Sequence, residues 1–440
     1  MTQPPGKVNR QLIALFGGLC FFLSAVEYLI PKPLPFIRLG LANFPLLLAL
    51  DLLPFSSFVL LLALKVIGQA LISGSLFSYV FLFSLAGTGL SALLMYVLRK
   101  ATGKKWMSLT GISAAGAMAF NGVQLVLAWY LVFGESVRYA AAPILALGIV
   151  TGTLLGILSE YFTKHSLWYA NMSSVKETHA KTQRREERKG KDKTSKNYYS
   201  PETCRQHENV SNNNLVALRL CVINLKTGLL KKFELHRKAR QAFCRKHFGS
   251  GHLAITGLCM IPALLFNPDT KARLIQFLFF FFLAWLSGKK NNLFLTVLIM
   301  LGIVFFNLLL PYGELLLNIG PLAITQGALL AGLRRAVTLE GLFMLSRCCV
   351  REDLALPGAF GEIIGESFRV FSRLSESPLA GKKGLWRQNW VNHLDGILLA
   401  LQRAPGENKT PGENGLNQKS PAAKIVLVAV VILAWLPLLQ

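Results

Sequence analysis

The chain has 440 residues, of which 52% are hydrophobic and only 16% charged, against about 25% charged in an ordinary globular protein. Apolar stretches close to the ~20 residues that cross a bilayer core recur toward both ends, which excludes a secreted enzyme, a cytosolic nucleotide-binding protein and a disordered scaffold. The fold class expected is all-α, a polytopic integral membrane protein. The formal net charge of +25, from 47 Lys and Arg against 22 Asp and Glu, gathers in one polar stretch and in short loops. Membrane lipid and the membrane potential account for it there, so nucleic acid is not an expected partner. The seven cysteines are scattered and form no Cys-x-x-Cys, so neither a disulfide framework nor a zinc site is expected.

In chain order, apolar spans fall at residues 11–30, 39–53, 55–72, 76–98, 109–133 and 140–161. The first is too long for a cleavable signal peptide, lacks a small-residue cleavage site and leads into further spans. Lys7 and Arg10 precede it, and Arg99, Lys100, Lys104 and Lys105 follow the fourth span. The alternate loops hold only Lys32, Arg38 and Arg138. By the positive-inside rule both ends of this domain, residues 1–163, face the cytoplasm. Residues 164–249 contain the basic run Arg184 to Lys193 and read as a largely disordered cytoplasmic linker. An apolar insert at 215–225 is too short to span.

A second membrane domain, residues 250–440, offers spans at 253–266, 274–286, 293–310 and 322–345 and a terminal span at 425–439. About eleven spans in two bundles result, with the N-terminus and both polar intervals cytoplasmic. Between the last two spans, Phe360, Ile364, Phe368 and Phe371 recur at helical spacing, as do Trp386, Trp390 and Leu394. Two amphipathic helices are expected there, within 358–403. They rest on the lipid surface or serve as arms that take force from a soluble partner.

Polar side chains inside spans are costly and mark cavities or helix contacts. Glu27, Asn43, Lys65, Gln69, Asn121 and Gln124 cluster in the first domain and predict a substrate pocket opening outward, in which Lys65 and Glu27 neutralise each other. Small residues at i, i+4 spacing predict close helix contacts: Gly148, Gly152 and Gly156 within the first bundle, Ala14 and Gly18 against the second. No phosphate-binding Gly-x-x-x-x-Gly-Lys-Ser/Thr loop is present, and the five aspartates are isolated from one another. No catalytic set, metal site or cofactor is therefore expected.

Four motifs carry a resemblance. They are Leu39-Gly40-Leu41-Ala42-Asn43, Leu64-Lys65-Val66-Ile67-Gly68, Phe83-Ser84-Leu85-Ala86-Gly87 and Ala119-Phe120-Asn121-Gly122-Val123-Gln124. Across residues 10–162 the chain resembles the Gx transporter family, also labelled heptaprenyl diphosphate synthase component I, which is similar to substrate-binding (S) components of energy-coupling factor importers. Family members commonly show Arg where Lys65 stands and His where Phe120 stands; Lys keeps the charge but not the bidentate fork. The second domain resembles the transmembrane (T) component of such importers, in span order and in Ile324-Thr325-Gln326-Gly327 followed by Leu333-Arg334-Arg335. Its Ala-Arg-Gly coupling motifs have only Phe371-Ser372-Arg373 and Gln402-Arg403-Ala404 as stand-ins.

The resemblance implies a fused S and T subunit in a bacterial cytoplasmic membrane, importing a small molecule with separate cytoplasmic ATPase subunits, and not itself an enzyme. Two alternatives follow from the same residues: a membrane subunit associated with polyprenyl diphosphate synthesis, or a non-transporting scaffold.

Overall fold

The computed structural model describes residues 5–29, 40–174, 234, 236–289, 291–319, 322–351, 358–376, 390–403 and 421–438. The basic run at 184–193, the insert at 215–225 and Trp386 lie outside the described residues. The described chain is overwhelmingly helical and apolar, a multi-pass membrane protein.

The first bundle comprises α1 (Pro5–Leu29), a 3-10 turn at Leu41–Asn43, α2 (Phe44–Leu52), α3 (Phe55–Ser73), α4 (Tyr79–Trp106), α5 (Leu109–Ala128) and α6 (Val137–His165). Local chemistry sets the breaks. Gly74, at φ 64°, closes α3 by donating to the carbonyls of Ala70 and Leu71, a left-handed cap that suits glycine. Ser108 opens α5 by accepting from the Gly111 N–H. The apolar stretch Leu109–His165 runs 57 residues but folds back at Gly134, φ 59°. Its halves pair antiparallel: the Ser113 hydroxyl donates to the Gly152 carbonyl at 2.7 Å and the Asn121 amide to that of Ile144 at 3.2 Å.

The span expected at 39–53 is shorter than a crossing. Helix α2 has nine residues after a three-residue turn, reaching about 18 Å, against a core ~30 Å thick. Four stretches in the described chain are long and apolar enough to cross: Arg10–Glu27, Phe55–Ser73, Tyr79–Gly103 and Leu109–His165.

Beyond them come α7 (167–174), α8 (His236–His247), α9 (Ser250–Leu265), α10 (Thr270–Leu286), α11 (Leu293–Leu308), the antiparallel hairpin β1 (Leu315–Ile319) and β2 (Leu322–Thr325), then α12 (Gln326–Cys349), α13 (Gly358–Glu376), α14 (Trp390–Arg403) and α15 (Pro421–Trp435). Two boundaries differ from expectation. The span predicted at 322–345 starts as a strand, because a short apolar run does not tell strand from helix, and the helix continues to Cys349. The linker predicted at 164–249 is helical at both edges: α7 buries Trp168 and Tyr169 in the first bundle's core.

Two buried polar side chains of the second bundle are met largely by backbone carbonyls. Arg273, 7% exposed, donates to the Asn267 and Leu265 carbonyls at 2.6 and 2.9 Å and to the Thr338 hydroxyl at 2.6 Å, so it caps the end of α9 and ties it to α12. The Gln276 amide donates to the carbonyls of Ala263 and Ala434, at 3.1 and 2.9 Å, which holds α15 in place.

Asp395 of α14 performs the same service at the start of α7. Its carboxylate accepts from the Ser166 hydroxyl and from the backbone N–H groups of Leu167 and Trp168, at 2.7 and 3.4 Å for the latter two. Asp395→Ala should cost about 1–2 kcal/mol, the usual worth of an N-terminal cap, read as a lower midpoint in thermal unfolding of the detergent-solubilised protein. An unchanged midpoint would show that α14 does not hold α7.

Candidate functional site

Three of the predicted pocket residues meet where α1, the 3-10 turn and α3 converge. Lys65 and Glu27 are both buried, at 3% exposure. The Lys65 ammonium donates to the Asn43 side-chain oxygen, and the Gly40 N–H donates to the Glu27 carboxylate at 3.4 Å. Gly40, at φ 82°, adopts the left-handed backbone that turns the chain into this position. Gln69 lies one helical turn beyond Lys65, and its side-chain oxygen is buried without a hydrogen-bond partner, as is the Ser24 hydroxyl on α1. Unmet acceptors in a buried place are costly, which suits a site that receives a donor from a ligand.

Asn121 belongs elsewhere. Its amide packs into the notch over Gly148, where an added Cβ would sit 1.7 Å from the amide nitrogen, so it joins α5 to α6. Gln124 is buried on the same helix. Gly152 and Gly156 extend the notch against Ala117 and Thr110, so the stripe on α6 is internal to the first bundle.

The residues on α1 face the second block. A Cβ on Gly18 would lie 2.4 Å from Val370 Cγ1, and one on Gly17 2.6 Å from the Ser367 hydroxyl; Ala14 is buried beside them. Helix α13 therefore lies along α1 nearly backbone to backbone. Phe368 packs tilted against Phe21 with centroids 5.0 Å apart, and Arg10 pairs with Glu362 and Glu366 at 2.7 and 3.0 Å. Ile364 is buried in the first bundle's core, with Phe360, Phe371 and Leu394 packed against it. Trp390 begins α14. The apolar faces read from sequence as lying on lipid or against an ATPase are thus turned to the first bundle, whose glycine notch gives them closer packing than a lipid surface does.

A second contact joins the blocks. Arg335 of α12 donates to the Asn307 side-chain oxygen at 2.7 Å, and the Asn307 amide donates to the Val132 carbonyl at 3.2 Å, beside the α5–α6 turn. Farther along α12, the Ser346 hydroxyl accepts from the Phe77 N–H at 3.0 Å, in the α3–α4 turn. Because α4 and α5 run antiparallel, with Gly87 against Phe120 and Ser91 bonded to Gly116 at 2.7 Å, both turns lie at one end of the bundle. Helix α12 thus crosses that end over about 17 Å. It is the end where Glu27, Asn43 and Lys65 gather and which the charge pattern places outside.

Sequence reasoning missed the opposite end. Arg99 binds Asp51 through two hydrogen bonds, at 2.8 and 2.7 Å, beside a pocket of about 410 Å³ also lined by Thr163, Tyr169 and Ser173. Burial, with the Asp51 carboxylate adding to it, pushes the Tyr169 phenol above its ordinary range. Asp51 and Arg99 are 48 positions apart, and only the fold brings them together.

The α1–α13 contact makes a direct prediction. Gly18→Leu should overpack the notch by about 1–3 kcal/mol and speed hydrogen–deuterium exchange across Gly358–Glu376. Gly122→Leu, at a glycine with no atom within 4 Å of an added Cβ, should not. Equal exchange in the two variants would rule out this seating of α13.

Residues 16–162 match the family described as Heptaprenyl diphosphate synthase component I, and residues 252–352 match a domain of unknown function (DUF8519). No curated protein and no solved structure matches the chain. The likeness of the second block to T components does not reappear among these matches. From Phe16 to Phe162, the first bundle is similar to the heptaprenyl diphosphate synthase component I family, in line with the Gx transporter resemblance carried by its four motifs.

Proposed function

We infer that this membrane protein is the substrate-binding and coupling subunit of an importer of the energy-coupling factor type, driven by separate ATPase subunits in a bacterial cytoplasmic membrane. The observation that carries the reading is the crossing of α12 over the end of the first bundle that holds Glu27, Asn43 and Lys65. A bundle that captures a solute outside and releases it inside must reorient against its partner, and a partner helix lying across its end is what a tipped bundle presents. The buried carboxylate and ammonium with nearby amides suit a small polar solute.

On this reading α13 links ATPase to pocket. Its apolar face grips α1, while Ser372 and Arg373 remain exposed and available to carboxylates on a nucleotide-binding subunit. Force on α13 then passes straight to α1. The family description favours polyprenyl diphosphate synthesis as a second reading. The five aspartates stand far apart in sequence, so the Mg²⁺-diphosphate chemistry of that reaction would fall to a partner subunit.

The test is purification from the native host in mild detergent. A small molecule should be retained at near-equal molar amount, identifiable by mass spectrometry, together with ATPase subunits. Lys65→Met should lose the small molecule and keep the ATPases, while Arg373→Glu should do the reverse. If the unmutated protein retains neither, it is not an importer subunit; if an isoprenoid synthase subunit co-purifies instead, the second reading holds.

A further inference from the structure

Helix α8 is the most basic described element, and the transport reading has no use for it. His236–His247 contains Arg237, Lys238, Arg240, Arg245 and Lys246 and no Asp or Glu. The nearby Glu234 is already paired with Arg237 at 3.7 Å. At Ser250 the chain bends by 95° into the apolar helix α9. With α9 entering the hydrocarbon, a helix at right angles to it lies in the plane of the membrane surface.

The helix is fixed in that plane. The Arg240 guanidinium sits 4.0 Å above the Trp285 ring at the end of α10, and the Gln241 amide donates to the Gly288 carbonyl at 2.9 Å. Arg351, just beyond α12, donates to the Phe248 carbonyl at 2.9 Å. With that side occupied, Lys238, Ala242, Phe243, Arg245 and Lys246 are exposed. Lys238, Ala242 and Arg245 share one face at i, i+4 and i+7. Phe243 is 59% exposed beside them, and Trp285, 47% exposed, marks headgroup level, where tryptophan concentrates.

We propose that α8 is a docking surface for anionic phospholipid headgroups of the leaflet along which it lies, its lysines and arginines pairing with headgroup phosphates while Phe243 enters the acyl boundary. Surface orientation, positive charge unopposed among the described residues and an exposed aromatic together select lipid over a soluble protein, whose binding would not require the helix to lie in the membrane plane.

Native mass spectrometry of the detergent-purified full chain tests this, with dioleoyl-phosphatidylglycerol and dioleoyl-phosphatidylcholine as probes. The unmutated protein should retain phosphatidylglycerol at least about five-fold better, the share of roughly one surface Lys or Arg. The triple variant Lys238→Gln, Arg245→Gln, Lys246→Gln should lose most of that preference, and the exchange Lys238→Arg, Arg245→Lys, Lys246→Arg should keep it. The basic run Arg184 to Lys193 is unchanged in every variant, so any lipid binding by it cancels in the comparison. Equal retention of the two lipids, or a full preference surviving in the triple Gln variant, overturns the proposal. Loss of a co-purifying protein from the triple Gln variant with its lipid preference intact assigns the face to that protein and overturns it equally.

Discussion

Two adjacent glycines on α1 decide where the second block sits. At Gly17 and Gly18 a single methyl group would already overlap Ser367 and Val370, so α13 approaches α1 at a distance that other residues would forbid. In lipid, where apolar side chains gain little from leaving the bilayer, such close approach is a main source of helix association. Phe21 then packs against Phe368, and Arg10 reaches Glu362 and Glu366. The ion pair at this exposed edge adds direction more than energy. Register comes from the notch.

The buried polar groups follow a common economy. Arg273, Gln276 and Asn307 each donate to helix carbonyls, the acceptors that helix ends leave over. A buried guanidinium met by carbonyls avoids the cost of an unpaired charge without a carboxylate beside it. Asp395 inverts the scheme, meeting leftover N–H groups at the start of α7. Apart from the Asn307 bond to Ile303, which stays within α11, these bonds join separate segments, so polar atoms here act as fasteners between helices. Gln69 and Ser24 break the pattern with unmet oxygens, at the end of the bundle where Lys65 and Glu27 are buried.

Much of this was legible in the sequence, and the reasons for the rest are physical. The spans of the first bundle are apolar and long, so periodicity and length place α1, α3 and α4 closely. Helix α2 is shorter than its apolar stretch because Leu39 to Leu53 is predominantly apolar whether the chain is helix, turn or loop. Lys65, Asn43 and Glu27 stood out as costly residues in apolar spans, and they converge. Asn121 stood out for the same reason but serves helix packing, since the cost of a buried amide is met equally by a backbone carbonyl. The faces of α13 and α14 were visible as periodicity, but their partner was not. Amphipathicity tells that a face is covered, not by what. Arg273 escaped notice because it sits in the first turn of α10, where a charge normally reads as a span boundary.

The geometry also constrains how the two ends of α1 communicate. Helix α1 has 25 residues, about 37 Å of continuous rod, with Arg10 near one end and Glu27 near the other. Helix α13 grips it from Arg10 to Phe21, and its last turns, which carry Ser24 and Glu27, meet the 3-10 turn through the Gly40 N–H bond to Glu27. A displacement of α13 cannot be absorbed in the contact, because the Gly17–Gly18 notch has no spare volume and packed interfaces shift between discrete arrangements in preference to deforming. It is therefore passed to α1, which is itself locked to α3, the helix that carries Lys65, by Leu64 against Gly17 and Phe21 against Gly68. Helix α12 meets the first bundle at the α3–α4 and α5–α6 turns and leaves α1 to α13. The two contacts of the second block thus hold different parts of the first, α12 the turns at one end and α13 the length of α1 from Arg10 to Phe21.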